Sequence, residues 1–215
     1  MDNSSRACLV LAGRLGMYAH LEYTALYRIL ELYNKKKLAV WRPITPSRPG
    51  EIVKLLSRIV KGLSPGLVVL GEVDNPANNQ VNKQPIDMQV GILDGGRRLD
   101  VLSKVYYPEF RGDGWQPIYF DLHANRFTTK YTSNVCLPVE DLIDSMKAFP
   151  WRYKLQAALK SHATWTNKDH LGRFDYASSQ LCGCNIPVLK VLLASEDTYV
   201  KGVDRVIREV RGVIK

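Results

Sequence analysis

The chain has 215 residues, of which 46% are hydrophobic and 24% charged, a balance typical of a folded globular protein and unlike that of disordered or collagen-like chains. Its 30 Lys and Arg against 21 Asp and Glu give a formal net charge of +9, which favours an anionic partner such as nucleic acid or an acidic lipid surface. No apolar run reaches the roughly 18 residues that span a bilayer, no signal peptide is evident, and four cysteines are too few for a disulfide scaffold. We therefore expect a cytoplasmic protein with reduced thiols, associated at most peripherally with a membrane or a virion.

The first third of the sequence predicts two strands and two helices. Residues 7–18 alternate loosely and predict a strand, and apolar residues within Leu21–Tyr33 then recur at helical spacing. The segment "KLAVW" predicts a short strand, and three prolines between positions 43 and 49 indicate a loop. The segment "GEIVKLLSRIVKG" predicts a helix whose C-terminal end Gly62 caps.

The middle third predicts strands. The segments "GLVVLGEV", "IDMQVGIL", "RRLDVLSKVYY", "QPIYFDLH" and "RFTTKYTSNVC" are separated by breaks rich in Asn, Gly and Asp. Two of these breaks, Asp94-Gly95-Gly96 and Ala124-Asn125, predict hairpin turns because Gly and Asn accept positive φ. The strands are therefore expected to pair antiparallel.

The last third predicts helices again, around one strand. The helices are "VEDLIDSMKAF", "WRYKLQAALKSHA" and a final one from about 196 to 213, with a strand at 186–194. This order predicts an α+β fold in which a mainly antiparallel sheet is flanked by helices, as a single domain over residues 1–215.

Two sets of residues partly match known kinds of metal site. His20-x-Glu22 matches the first half of a zinc deaminase signature, but the required Pro-Cys-x-x-Cys is missing. A tetrahedral zinc site could use two imidazoles and two thiolates, from His162, His170, Cys182 and Cys184, but the Cys-x-Cys spacing is unusual for structural zinc. We therefore expect neither a metal nor a cofactor.

A metal-dependent nuclease is the alternative enzyme hypothesis. Such enzymes carry an Asp and then Asp/Glu-x-Lys on a hairpin that holds Mg²⁺. Asp87, Asp100 and Lys104, with Glu22 or Glu72, offer these residue types, but Asp100 and Lys104 are four residues apart where the pattern needs two. A role as solvent-facing residues of a half-exposed sheet is favoured.

Basic clusters give the better functional signal. One cluster closes the first helix and continues into the proline-rich loop, a second alternates with aromatic residues in "FPWRYK", and a third forms the polar stripe of an amphipathic final helix. The alternative is a solvated helix end for the first cluster, core packing of Trp151 and Tyr153 for the second, and an ordinary docked helix with a solvated polar face for the third. The candidate nucleic-acid or lipid-binding residues are Lys35, Lys36, Lys37, Arg42, Arg48, Arg152, Lys154, Lys201, Arg205, Arg208 and Arg211.

The layout of the chain resembles that of rhabdovirus-type matrix proteins. The resemblance rests on a Gly-bearing strand, the helix with "LYRIL", and "IVKLLSRIVKGLSPG" after a loop, followed later by "LPVEDLIDSMKAF" and "WRYKLQAAL". The family's Pro-Pro-x-Tyr motif is missing. The resemblance implies a protein that self-associates, lies under a viral membrane and condenses nucleocapsid. We therefore expect a non-enzymatic, basic structural protein that binds RNA or nucleocapsid or an anionic membrane; an RNA-binding accessory protein is a further alternative.

Overall fold

A computed structural model describes residues 18–40, 44–73, 90–132, 135–147 and 168–193. In chain order its elements are β1 (Tyr18–Ala25), α1 (Leu26–Asn34), β2 (Ala39–Val40), α2 (Pro49–Val60), β3 (Val68–Val73), β4 (Val90–Asp94), α3 (Gly96–Tyr106), a 3₁₀ turn (Pro108–Phe110), β5 (Tyr119–Asp121), β6 (Arg126–Thr128), β7 (Cys136–Pro138), α4 (Val139–Lys147), α5 (Lys168–Cys182) and β8 (Asn185–Leu193). Helices and sheets occur together, so the α+β prediction is confirmed.

The chain divides into two compact units, each built from separate stretches of sequence. The first unit comprises Met1–Thr45, Gly66–Asp100 and Asn185–Lys215, and the second comprises Pro46–Pro65 and Val101–Cys184. Both units therefore depend on contacts between residues far apart in sequence.

The first unit contains a five-stranded sheet in the order β1-β8-β3-β4-β2. β1 pairs antiparallel with β8, and β3 pairs antiparallel with β4. However, β3 runs parallel to β8, and β2 runs parallel to β4. The prediction of a mainly antiparallel sheet is corrected here, because this sheet is mixed. Val68, Val69 and Leu70 are consecutive buried residues, as expected for a strand covered on both faces.

The first half of the segment expected to be helical is a strand. Residues Tyr18–Ala25 pair with β8 along their whole length, and the helix begins only at Leu26. Pairing with the apolar β8 outweighs the helical spacing that starts at Leu21. From Leu26 onward the predicted helix is present as α1, which buries Leu26, Ile29 and Leu30.

Among the described residues, the second unit contains the helices α2, α4 and α5, the part of α3 from Val101 onward, and a small antiparallel sheet of order β6-β5-β7. β5 and β6 form the hairpin predicted at Ala124-Asn125, and Asn125 has a φ of +51°. Phe120 and Phe127 pack as a cross-strand pair with ring centroids 4.9 Å apart. The helix α2 ends as predicted, with Gly62 at a φ of +72°.

The segment Arg97–Tyr107, predicted as a strand, is the helix α3. Its buried residues Leu99, Leu102 and Val105 recur every three positions, which places them on one face of a helix. The Asp94-Gly95-Gly96 break is therefore a strand-to-helix turn, and the predicted hairpin is wrong. The β-branched and aromatic residues of this segment favoured a strand locally, but burial of the helical face decided the outcome.

The helix α5 was not anticipated. Its sequence contains Gly172, two serines and two aspartates, which have modest helix propensity. Yet His170, Phe174, Ala177 and Leu181 are buried at helical spacing, a signal that was present in the sequence. Residues 7–17, the segment "WRYKLQAALKSHA" and the final helix lie outside the described residues.

Candidate functional site

Three consecutive lysines, Lys35, Lys36 and Lys37, form an exposed basic end on α1, here named the lysine cap. The N–H of Lys36 donates to the carbonyl of Tyr33 at 3.0 Å, and the N–H of Lys37 donates to that of Leu32 at 2.9 Å. This pair of bonds is the Schellman arrangement that closes many helices. The backbone of the lysine cap is therefore fixed, although its side chains extend into solvent.

The lysine cap carries strained backbone at its centre. Lys36 has a φ of +54°, in the left-handed region that glycine usually occupies at this position of a helix end. Positive charge at a helix C-terminus is stabilised by the helix dipole, which favours lysine here. The charge thus lies where the dipole favours it, while the backbone conformation does not favour lysine.

The exposed side of α1 adds an aromatic and a basic group. Tyr27 is 50% exposed, and the guanidinium of Arg28 lies 5.9 Å from the centre of its ring. Arg28 Nε also donates to the Tyr27 hydroxyl at 3.1 Å. An exposed aromatic ring next to cationic groups is a surface on which nucleic-acid bases stack.

One acidic side chain partly offsets this charge. Lys35 Nζ lies 2.5 Å from Glu31 Oε1, one helical turn away. The hydrogen bond and the charge of Lys35 lower the pKa of Glu31, and the charge of Lys37 contributes to the lowering. Glu31 therefore stays ionised through the neutral range, and the surface keeps a net positive charge from its other basic groups.

Of the other candidate basic residues, Arg48 is described. It is exposed and precedes α2, where its N–H donates to Glu51 Oε2 at 2.9 Å. This contact caps the N-terminus of α2. The residues that lie outside the described part of the chain are Arg42, Arg152, Lys154, Lys201, Arg205, Arg208 and Arg211.

His20 and Glu22 lie on the same face of β1, since side chains alternate along a strand. Their closest side-chain atoms, His20 Nε2 and Glu22 Oε2, are 3.8 Å apart. Glu22 Oε1 also lies 3.0 Å from Lys190 Nζ and accepts from the Thr24 hydroxyl at 3.2 Å. The glutamate is thus part of a cross-strand ion pair between β1 and β8.

The residues proposed for a nuclease do not share a hairpin. Asp100 and Lys104 are in α3, Glu72 is in β3, and Asp87 lies outside the described residues. Burial raises the pKa of Tyr33 to about 12, and the charge of Asp100 together with a hydrogen bond to it adds to this rise. Asp100 therefore links α3 to α1 through the Tyr33 hydroxyl.

The proposed zinc ligands are only partly described. His170 is buried in α5, with its ring 6.0 Å from that of His123, and Cys182 Sγ donates to the carbonyl of Ile143 at 3.7 Å. Burial raises the pKa of the Cys184 thiol to about 11. Among the described residues, no group of three or more His, Cys, Asp or Glu side chains could hold a metal ion; His162 lies outside them.

The first unit also has a cleft that sequence reasoning missed. It has a volume of about 420 Å³ and lies where β4 turns into α3. The only signal in the sequence was the string Gly-Gly-Arg-Arg at positions 95–98, in which the glycines predict a hairpin turn and the arginines begin the strand predicted after it. The lining residues are Val40, Ile44, Thr45, Ile92, Leu93, Asp94, Gly95, Gly96, Arg97 and Arg98.

No protein-family model, no curated protein and no solved structure matches the chain. Within the described part of the chain, no helix has both the length and the apolar character that crossing a bilayer requires.

Proposed function

We propose that the protein is a non-enzymatic structural protein that binds the phosphate groups of RNA through the lysine cap. The observation that carries this proposal is the exposure of all three lysines on a backbone fixed at the end of α1. The overall charge of +9 supports it, since it attracts polyanions over the whole surface.

The choice of RNA over an anionic membrane follows from Tyr27 and Arg28. A base can stack on the exposed ring of Tyr27 while lysines two turns further along α1 contact phosphates. An anionic membrane surface would use the same lysines without needing the ring, and it is the alternative ligand in the test.

The test replaces Lys35, Lys36 and Lys37 together with glutamine and measures binding to single-stranded RNA at several salt concentrations. Each phosphate contact on a single strand contributes roughly 0.7 to the slope of log affinity against log salt, so the slope should fall by about 2 if all three lysines contact phosphate. Glutamine removes the charge without adding a repulsive carboxylate beside Glu31.

The matched control replaces Lys54, Arg58 and Lys61 with glutamine. These residues are exposed on α2 or at its end, and the change in net charge is the same. An equal loss of RNA binding in both triple variants would contradict a localised site. If wild-type protein binds no RNA near physiological salt, the proposal is wrong.

Cosedimentation with phosphatidylserine vesicles distinguishes the two ligands. If the lysine cap contacts membranes instead, each lysine should contribute on the order of 1 kcal/mol to vesicle binding. In that case the Tyr27→Ala variant should bind vesicles normally, whereas RNA stacking predicts that the same variant loses roughly 1–3 kcal/mol of RNA-binding free energy.

The matrix-type role is also part of the proposal, and it rests on the resemblance of the sequence layout. It adds self-association and binding to nucleocapsid under an anionic membrane. Sedimentation velocity over a range of protein concentrations tests self-association, and a monomer at every concentration would contradict it.

A further inference from the structure

The cleft of the first unit lies at the carboxyl ends of two neighbouring parallel strands. Ala39 and Val40 of β2 pair in register with Gly91 and Ile92 of β4. Both strands end at the same edge of the sheet, and the chain leaves each of them there. Crevices at the carboxyl ends of parallel strands are common ligand sites in sheets that contain helical connections.

The cleft has an apolar wall. Ile92 and Leu93 are almost fully buried, and Val40 and Ile44 complete the aliphatic part of the lining. Its volume of about 420 Å³ falls within the range of small-molecule sites, roughly 300–1,000 Å³. An aliphatic wall favours a ligand with an apolar part over a bare inorganic ion.

The remaining lining is cationic, because it has two arginines against one aspartate. Arg98 is held in place: its Nη2 donates to the carbonyl of Leu67 at 2.7 Å and lies 3.8 Å from Asp94 Oδ2. The guanidinium also packs on the backbone of Gly66, where an added Cβ would lie only 2.3 Å from Nη1. These contacts use Nη2 and place Nη1 against the backbone, so Arg98 holds the wall of the cleft and adds positive charge to it.

The second arginine, Arg97, is exposed at the rim of the same cleft. Guanidinium groups bind phosphate oxygens with strong, charge-assisted hydrogen bonds. Asp94 and the hydroxyl of Thr45 provide polar partners for sugar hydroxyl or base amino groups, which a lipid chain lacks. The lining thus combines groups for a phosphate, for polar substituents and for an apolar body.

We propose that this cleft binds a single nucleoside monophosphate. The phosphate contacts Arg97 at the rim, and the nucleoside lies against Val40, Ile44 and Ile92. This site goes beyond the proposed function and does not depend on it, since the lysine cap is a separate surface of α1 and contacts the backbone of a polymer. Polymer binding can fail while the cleft still binds a nucleotide, and the reverse also holds.

Two substitutions test the site with little effect on folding. Arg97→Ala removes an exposed charge from the rim of the cleft. The control, Lys54→Ala, removes an equal charge from an exposed residue of α2 that does not line the cleft. Gly96→Ala narrows the cleft, because the added Cβ would lie 3.5 Å from Ile92 Cγ2 and 3.6 Å from Ile44 Cδ1, which are ordinary contacts. Gly96 also lies outside the left-handed region, so alanine fits its backbone.

The full chain is titrated by isothermal calorimetry with each of the four ribonucleoside 5′-monophosphates, with the matching nucleosides and with inorganic phosphate. At least one monophosphate should bind saturably, and roughly tenfold or more tightly than its nucleoside or inorganic phosphate. Arg97→Ala should weaken this binding by about tenfold or more, the usual effect of losing a hydrogen bond to a charged group. Gly96→Ala should also weaken it, and Lys54→Ala should not.

Three results would overturn the proposal: no saturable binding of any monophosphate, inorganic phosphate binding as tightly as the nucleotide, or unchanged affinity in both Arg97→Ala and Gly96→Ala. Circular dichroism of each variant establishes that it is folded before titration. The lysine-cap glutamine variant, titrated in parallel, should bind the monophosphate like wild type.

Discussion

Lys36→Gly is expected to stabilise the protein although it removes a charge at a helix end. The φ of +54° at Lys36 lies in the left-handed region, which costs a residue with a Cβ roughly 1–2 kcal/mol. Glycine avoids this cost, but its greater freedom in the unfolded chain offsets roughly 0.4–1 kcal/mol of the gain. Loss of the charge, which the helix dipole favours, offsets a further roughly 0.3–1 kcal/mol. The free energy of unfolding should therefore rise by at most about 1 kcal/mol, and Tm by at most roughly 2–4 °C for a chain of this length.

Urea unfolding followed by circular dichroism measures this change. The slope of the unfolding free energy against urea concentration should be the same as in the wild type. Lys37→Gly is the matched control, since it removes the same charge at a residue whose φ is not positive. There the unfolded-state effect and the lost charge act without any relief of backbone strain, and together they should lower stability by roughly 0.7–2 kcal/mol. If Lys36→Gly is no more stable than Lys37→Gly, the left-handed conformation at Lys36 does not carry the assigned cost.

Two further changes test other parts of the fold. Gly62→Ala should destabilise by about 1 kcal/mol, because its φ of +72° costs alanine roughly 1–2 kcal/mol and the lost freedom of glycine in the unfolded chain offsets roughly 0.4–1 kcal/mol of this. The added Cβ has only an ordinary contact at 3.6 Å with Gln180. Gly50→Ala, with open space around the new Cβ, is the control, and an equal loss in both would contradict this reasoning. Burial and Asp100 raise the pKa of Tyr33 to about 12 in the folded protein, from its ordinary value of 10. The contribution of this shift to the free energy of unfolding should be fully present below pH 10 and should be lost as the pH rises from 10 to about 12. Tyr33→Phe should remove that part of the pH dependence in urea titrations at pH 9 to 12, and an unchanged slope would refute the assignment.

Where the residue type at one position decides the backbone conformation, the sequence was sufficient to predict that conformation. Gly62 ends α2 and Asn125 closes the β5–β6 hairpin because both positions need a positive φ, which few residue types accept. The apolar periodicity of α2 likewise needed no partner to be recognised. The lysine cap could be placed at the end of α1 because three adjacent charges cannot be buried without partners.

The candidate cleft was not predictable, because its residues come from three separate stretches of sequence. Its arginines were assigned to a strand, and its aliphatic wall combines β2 and the following loop with β4. A Gly-Gly turn fits either a hairpin or a strand-to-helix connection. Only the identity of the next element distinguishes them, and that element was assigned wrongly.

The sequence by itself determined the α+β class, most strands, the helices α1, α2 and α4, and the position of the lysine cap, since these follow from periodicity, turn residues and charge. Tertiary structure decided that Tyr18–Ala25 is a strand, that Gly96–Tyr106 is a helix, and that the sheet of the first unit is mixed. The physical reason is that a short segment has similar local free energies as helix and as strand. The hydrogen bonds and apolar burial that decide between them come from residues distant in sequence, such as those of β8 for β1.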